Sequence, residues 1–289
     1  MEKRSPLSLQ FAIFCGAILV ALPLRCFQFI RIIEPGTGFY DKKDVSVWIL
    51  YALILGLLFA LFGLSYGNRK WYFFNITPAK RPVLAIFCLL LTLSLVWNAV
   101  NCWQHVYLAY QDLPAVERTF RDFIKTGILP KAFEAVTGTF SAVYFVLLGS
   151  SYQSGRSTGS NYKLLALFPV IWGVSRIIYR FTRTISFLNV SDLLFELLML
   201  VFLLVFLMTF IQLNARVNCE GSDWKLPVYG FFTAFMCLLC FVPRFVLWGA
   251  GRGELLAEQS PPEYCDLAMA LFLLGTLSSR LEIRKDLSK

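Results

Sequence analysis

Histidine is all but missing from this 289-residue chain: His105 is the only one. Its scarcity removes any His-based metal cluster and leaves a single candidate for imidazole chemistry. Charge is scarce too, at 16% of residues, where soluble globular domains carry about a quarter. No polar stretch is long enough for a separate soluble domain. No Gly-rich loop has phosphate-cradling spacing, because Gly249-Ala250-Gly251-Arg252-Gly253 lacks the P-loop pattern. Without a mid-span lysine in the last helices, a retinal Schiff base is disfavoured. The reading leaves no cofactor, and enzyme activity is not expected.

Apolar sequence is abundant instead. Hydrophobic residues make up 57% of the chain and aromatics 16%, with 28 Phe. A bilayer core takes about 20 apolar residues per helix. The expected fold is all-α: one membrane domain over residues 1–289, a polytopic bundle of about eight transmembrane helices. The expected spans are 7–31, 46–66, 83–108, 132–151, 163–183, 190–213, 227–249 and 265–281. The last is weakest, and a seven-span arrangement with that segment re-entrant competes with it. The basic start Met1-Glu2-Lys3-Arg4 precedes a run longer than a signal-peptide core and without an Ala-x-Ala site, so a retained first helix is expected.

Charge divides by side. The N-terminus, the even-numbered inter-span loops and the C-terminus hold fourteen of the 27 cations and five of the 18 anions. The other side holds 13 of each, so the net +9 falls on one face. Excess Lys and Arg marks the cytoplasmic face, which predicts both termini cytoplasmic and an even span count in a plasma membrane. The basic balance is therefore a topology signal. No basic-aromatic surface outside the bilayer suits nucleic acid; the expected partners are lipid and a small-molecule solute. Residues 114–129 alternate as a short amphipathic surface helix or extend the third span.

Two motifs are decoys. Gly63-Leu64-Ser65-Tyr66-Gly67 matches the serine-hydrolase elbow, but it ends a transmembrane helix, with His105 expected a bilayer thickness away. Cys237-Leu-Leu-Cys240 has metal spacing but lies within a span and lacks a second pair.

The candidate polar cluster is Arg25, Asn98, Asn101, Glu134, Arg176, Arg180, Asp192, Glu196 and Arg244. If the spans form four hairpins, each first helix carries polar groups near its outer end and each second helix begins with an acid. Internal repeats of this kind build some transporters around a shared site. Arg176 follows only 11 apolar residues from Leu164, about 16 Å of helix, so it cannot avoid the hydrocarbon. Antiparallel register pairs residues of constant index sum: Arg176 with Glu196 and Arg180 with Asp192 share 372, and Arg25 with Asp44 and Gln28 with Asp41 share 69. Three arginines facing an outward polar cavity would favour an anionic or zwitterionic solute. The competing readings are a structural staple of buried charge, a scaffold or sensor subunit acting through partner proteins, and an intramembrane enzyme using carboxylates such as Glu134 and Glu196 without a recognisable nucleophile or metal site.

Overall fold

The computed structural model describes residues 6–34, 40, 44–75, 77, 79–113, 119–156, 162–182, 190–215, 221–256 and 262–283. Among them are nine α-helices: α1 (Pro6–Arg31), α2 (Val45–Gly67), α3 (Pro82–Gln111), α4 (Phe120–Lys125), α5 (Ile128–Ser154), α6 (Phe168–Thr182), α7 (Val190–Ala215), α8 (Lys225–Gly249) and α9 (Tyr264–Arg280). Two short strands, β1 (Tyr72–Phe74) and β2 (Leu281–Ile283), follow α2 and α9. Local chemistry sets several of the helix ends. Asp44 caps α2 by accepting from the Ser46 amide, Pro82 opens α3 at a position needing no amide donor, and Gly155 ends α5 in the left-handed conformation.

The chain divides into two compact units. The first holds α1, α2, α7, α8 and α9 with both strands. α1 and α2 run antiparallel: Gln10 Nε2 donates to Ser65 Oγ at 2.6 Å, and eighteen residues later Gln28 Nε2 donates to the Ser46 carbonyl at 3.1 Å. α8 and α9 also run antiparallel, with Tyr264 against Phe241 and Leu277 against Gly230. Phe202, Phe206 and Phe210 carry α7 past Phe232 of α8, Gly230 and Phe272 of α9. Between lipid-solvated helices no hydrophobic gain drives association, so close fit at small residues carries it. Gly230 shows the fit: a Cβ there would meet the Leu277 side chain at 2.9 Å and Phe206 at 3.1 Å.

The strands clasp one end of this unit. β1 and β2 pair antiparallel, Phe73 opposite Glu282. Beyond the register, the Asn75 amide donates to the Arg280 carbonyl at 2.7 Å and Arg280 Nη1 donates to the Asn75 carbonyl at 2.8 Å. Asn75 Nδ2 reaches Glu282 Oε1 at 2.6 Å. Burial pushes the Tyr72 phenol up to about 12, with the Ser65 hydroxyl pulling weakly the other way.

The second unit holds α3 to α6. α3 and α5 are antiparallel, Gly149 lying on Cys88 and the Arg81 amide donating to the Tyr152 carbonyl at 2.8 Å. α6 returns along α5 with Phe168 stacked on Phe140 and Trp172 over Gly138. Gly127 adopts φ 77° beneath the Tyr179 ring, where a side chain would be both strained and crowded.

Among the described residues, six helices are long and apolar enough to cross a membrane: α1, α2, α3, α5, α7 and α8. These apolar helices point to an integral membrane protein. α6 and α9, at 15 and 17 residues, fall short of the usual span. Of the amphipathic stretch, Phe120–Lys125 forms α4 and Ile128 and Leu129 open α5, while α3 ends before it at Gln111. One register expectation is corrected: the α1–α2 contacts follow an index sum of 74–75, not 69. Arg25 therefore does not meet Asp44, which instead caps α2; Asp41 lies outside the described residues.

Candidate functional site

At the end of the first unit opposite the clasp, four charged side chains from three helices close on one another. Arg25 of α1 places Nη2 on Asp192 Oδ1, in the first turn of α7. Asp192 Oδ2 lies 3.5 Å from Arg244 Nη2 on α8, and Arg244 Nη1 is 2.7 Å from Glu196 Oε1. The order Arg25–Asp192–Arg244–Glu196 alternates in sign, two cations against two anions. Glu196 lies one helical turn after Asp192, so both carboxylates share a face of α7.

Supporting contacts fix Arg25 in place. Its Nη1 donates to Gln28 Oε1 at 3.1 Å and to the Tyr40 hydroxyl at 2.7 Å. Gln28 passes the connection to the Ser46 carbonyl at the start of α2. Phe29 and Phe195 cover the guanidinium, at 4.6 and 4.7 Å from their ring centres. Tyr40 is brought back by its antiparallel bridge to Ile33 and packs on the Phe29, Ile33, Leu247 and Leu256 cluster. Arg25 and Arg244 are buried; Asp192 is the most open member, with 17% of its side chain exposed.

Both arginines follow an intrahelical proline, Pro23 in α1 and Pro243 in α8. Proline removes the amide that would bond four residues back, so the Leu19 and Leu239 carbonyls lose that partner beneath the arginine-bearing turns. Cys240 is buried on α8 one turn before Arg244. Asp266 is likewise buried on the first turn of α9.

The second unit gathers a separate set. Asn98 Nδ2 donates to Glu134 Oε1 at 3.2 Å, and Lys131 Nζ donates to Glu134 Oε2 at 2.8 Å while lying over the Tyr179 ring. Arg176 is buried with its guanidinium 5.2 Å from the Trp172 ring centre, and Thr137 meets the Ser175 hydroxyl at 3.1 Å. Arg180 is half-buried and Asn101 exposed. Nine sequence candidates thus fall into two sets: Arg25, Asp192, Glu196 and Arg244 in one unit, and Asn98, Asn101, Glu134, Arg176 and Arg180 in the other. The expected pairs of Arg176 with Glu196 and Arg180 with Asp192 join residues of different units. Within its own unit, Glu196 pairs with Arg244.

Sequence reasoning missed Lys131 and Tyr40. Lys131 stands three residues before Glu134, a spacing that does signal a helical pair. Tyr40 carries no such signal, since it is the bridge to Ile33 and not a sequence spacing that returns it to Arg25. Ser65 is fully buried and accepts from Gln10, which removes the hydrolase reading of its motif. Among the described residues no group of three or more His, Cys, Asp or Glu side chains is placed to hold a metal ion. No family model, curated protein or solved structure matches this chain.

Proposed function

We propose that this chain is a multi-pass protein of the plasma membrane with eight spans in four hairpins, both termini cytoplasmic, which binds or transports a small zwitterionic or anionic solute at an outward-facing polar site. The observation that carries the reading is the Arg25–Asp192–Arg244–Glu196 set. A buried ion pair seldom stabilises a fold more than apolar residues of the same volume would. Four charges among apolar helices therefore call for a role beyond stability, and ionisable groups in such places are functional candidates by default. Balanced charge favours a zwitterion: its carboxylate suits the arginines, its ammonium suits the acids, and its entry leaves the net charge unchanged.

The clasp supports an even span count. β1 and β2 pair, so the segments after α2 and after α9 share a side. Between them lie α3, α5, α6, α7, α8 and α9, with α4 too short to cross. A seven-span arrangement with α9 alone folding back would separate strands that pair. With its preceding 3-10 turn, Leu165–Leu167, α6 reaches about 28 Å, close to the hydrocarbon thickness of about 30 Å. The +9 charge excess falls on the clasp side, which supports an outward-facing four-charge site.

The test is thermal stability of purified protein against a panel of amino acids, betaines, dicarboxylates and amines. At least one zwitterion is expected to raise Tm, and Arg244→Gln to abolish the rise. A rise that persists in Arg244→Gln places the solute elsewhere. The second reading is a scaffold or sensor subunit, favoured by how completely the four charges pair with one another; it predicts no response to any solute.

A further inference from the structure

Asp192 spends one carboxylate oxygen on each arginine, Oδ1 on Arg25 and Oδ2 on Arg244. That is how a free carboxylate would bridge two guanidinium groups held by different helices. We propose that Asp192 occupies the seat of the solute's carboxylate, so that the described state is self-occupied and a ligand enters by displacing this side chain. The inference rests on the solute-binding reading and assigns its anion subsite.

Three observations carry it. First, the seat survives the departure of Asp192. Arg25 keeps Gln28 and Tyr40 as acceptors, with Phe29 and Phe195 on its faces, and Arg244 keeps Glu196 at 2.7 Å. Neither guanidinium loses its only orienting contact, so both remain aimed at the vacated position. Second, Asp192 is the member that can leave: its side chain is 17% exposed, against 2% for Arg25 and 8% for Arg244. Third, the arginines stand just after Pro23 and Pro243, where α1 and α8 each lack a backbone hydrogen bond. A bend at either point would change the gap between the guanidinium groups. Once displaced, Asp192 and Glu196 offer two carboxylates on one face of α7 to an ammonium group, which gives the zwitterion its second anchor.

The experiment uses acetate as the probe on full-length purified protein. Asp192→Ala leaves a carboxylate-sized space and an unbalanced positive charge between the arginines. Acetate at about ten times its dissociation constant is expected to raise the Tm of Asp192→Ala by a few degrees, beyond the effect of chloride at equal ionic strength. Wild type should not respond, because its own carboxylate competes at far higher effective concentration. Adding Arg244→Gln should remove the response. If Asp192→Ala fails to fold, Asp192→Asn serves: it keeps the side-chain volume, and acetate should displace its neutral amide more readily than the native carboxylate. An acetate response no greater than that of wild type in the folded variant, or one that persists with Arg244→Gln, overturns the assignment. The two failures are distinguishable. Acetate filling the seat while no zwitterion stabilises wild type shows that the two arginines accept a carboxylate, but overturns the solute reading and with it the assignment of that seat to a solute. A zwitterion response with no acetate response in the variants supports the solute reading and overturns the Asp192 assignment.

Discussion

Asp192 and Arg25 are ion-paired across 167 residues of chain, tying the first helix to the start of the seventh. Losing Arg25 leaves two buried carboxylates, Asp192 and Glu196, against the single cation Arg244. Arg25→Met is expected to cost about 3–5 kcal/mol and to lower the folded yield measured by size-exclusion chromatography. Replacing both residues, as Arg25→Met with Asp192→Leu, should recover most of that yield, since Arg244 keeps Glu196.

Packing of α8 on α9 turns on Gly230. Gly230→Ala adds a Cβ at 2.9 Å from Leu277 and 3.1 Å from Phe206, and the overpacking should cost about 1–3 kcal/mol. Thermal unfolding in detergent measures it; an unchanged Tm would show that Leu277 moves aside freely.

The strand clasp gives a topological test. Reporter fusions after Asn68 and Gly155 should read cytoplasmic, and fusions after Gly38 and Lys125 external. A C-terminal reporter should agree with the one after Asn68, because β1 and β2 pair on one side. Opposite readings from those two sites would refute the even span count.

Tyr72 supplies a pH signature. Its phenol ionises at about 12 in the folded protein and near 10 when unfolded, so the unfolded chain loses this proton first. The contribution is whole below pH 10 and declines as pH rises toward 12. Tyr72→Phe should flatten that part of the alkaline fall in Tm; an identical fall would show that Tyr72 is not the group responsible.

Long apolar helices were legible in the sequence because a run of about 20 apolar residues has few other uses. Their pairing was less so. For α1 and α2, choosing charged pairs gave an index sum of 69, whereas the observed contacts follow 74–75. The helix ends, Arg31 and Val45, would have pointed nearer the truth, because the turn and not the charges sets the register. Arg25, Asp192, Glu196 and Arg244 were each recognisable as buried charges, but their joining was not, since it depends on how α1, α7 and α8 pack. β1 and β2 have three residues each, too few for periodicity to register. Pro23 and Pro243 stood in plain view, and their shared placement before the two arginines acquired meaning only once α1 and α8 were seen to meet at Asp192.

On the proposed function, these four charges form a working site and not a staple. The measurement that bears on it most directly is the solute response of the folded Arg25→Met, Asp192→Leu double variant. The zwitterion that raises the Tm of wild type should no longer do so in this protein, although its fold and its Arg244–Glu196 pair remain. A double variant that folds and keeps the full wild-type response would contradict the account.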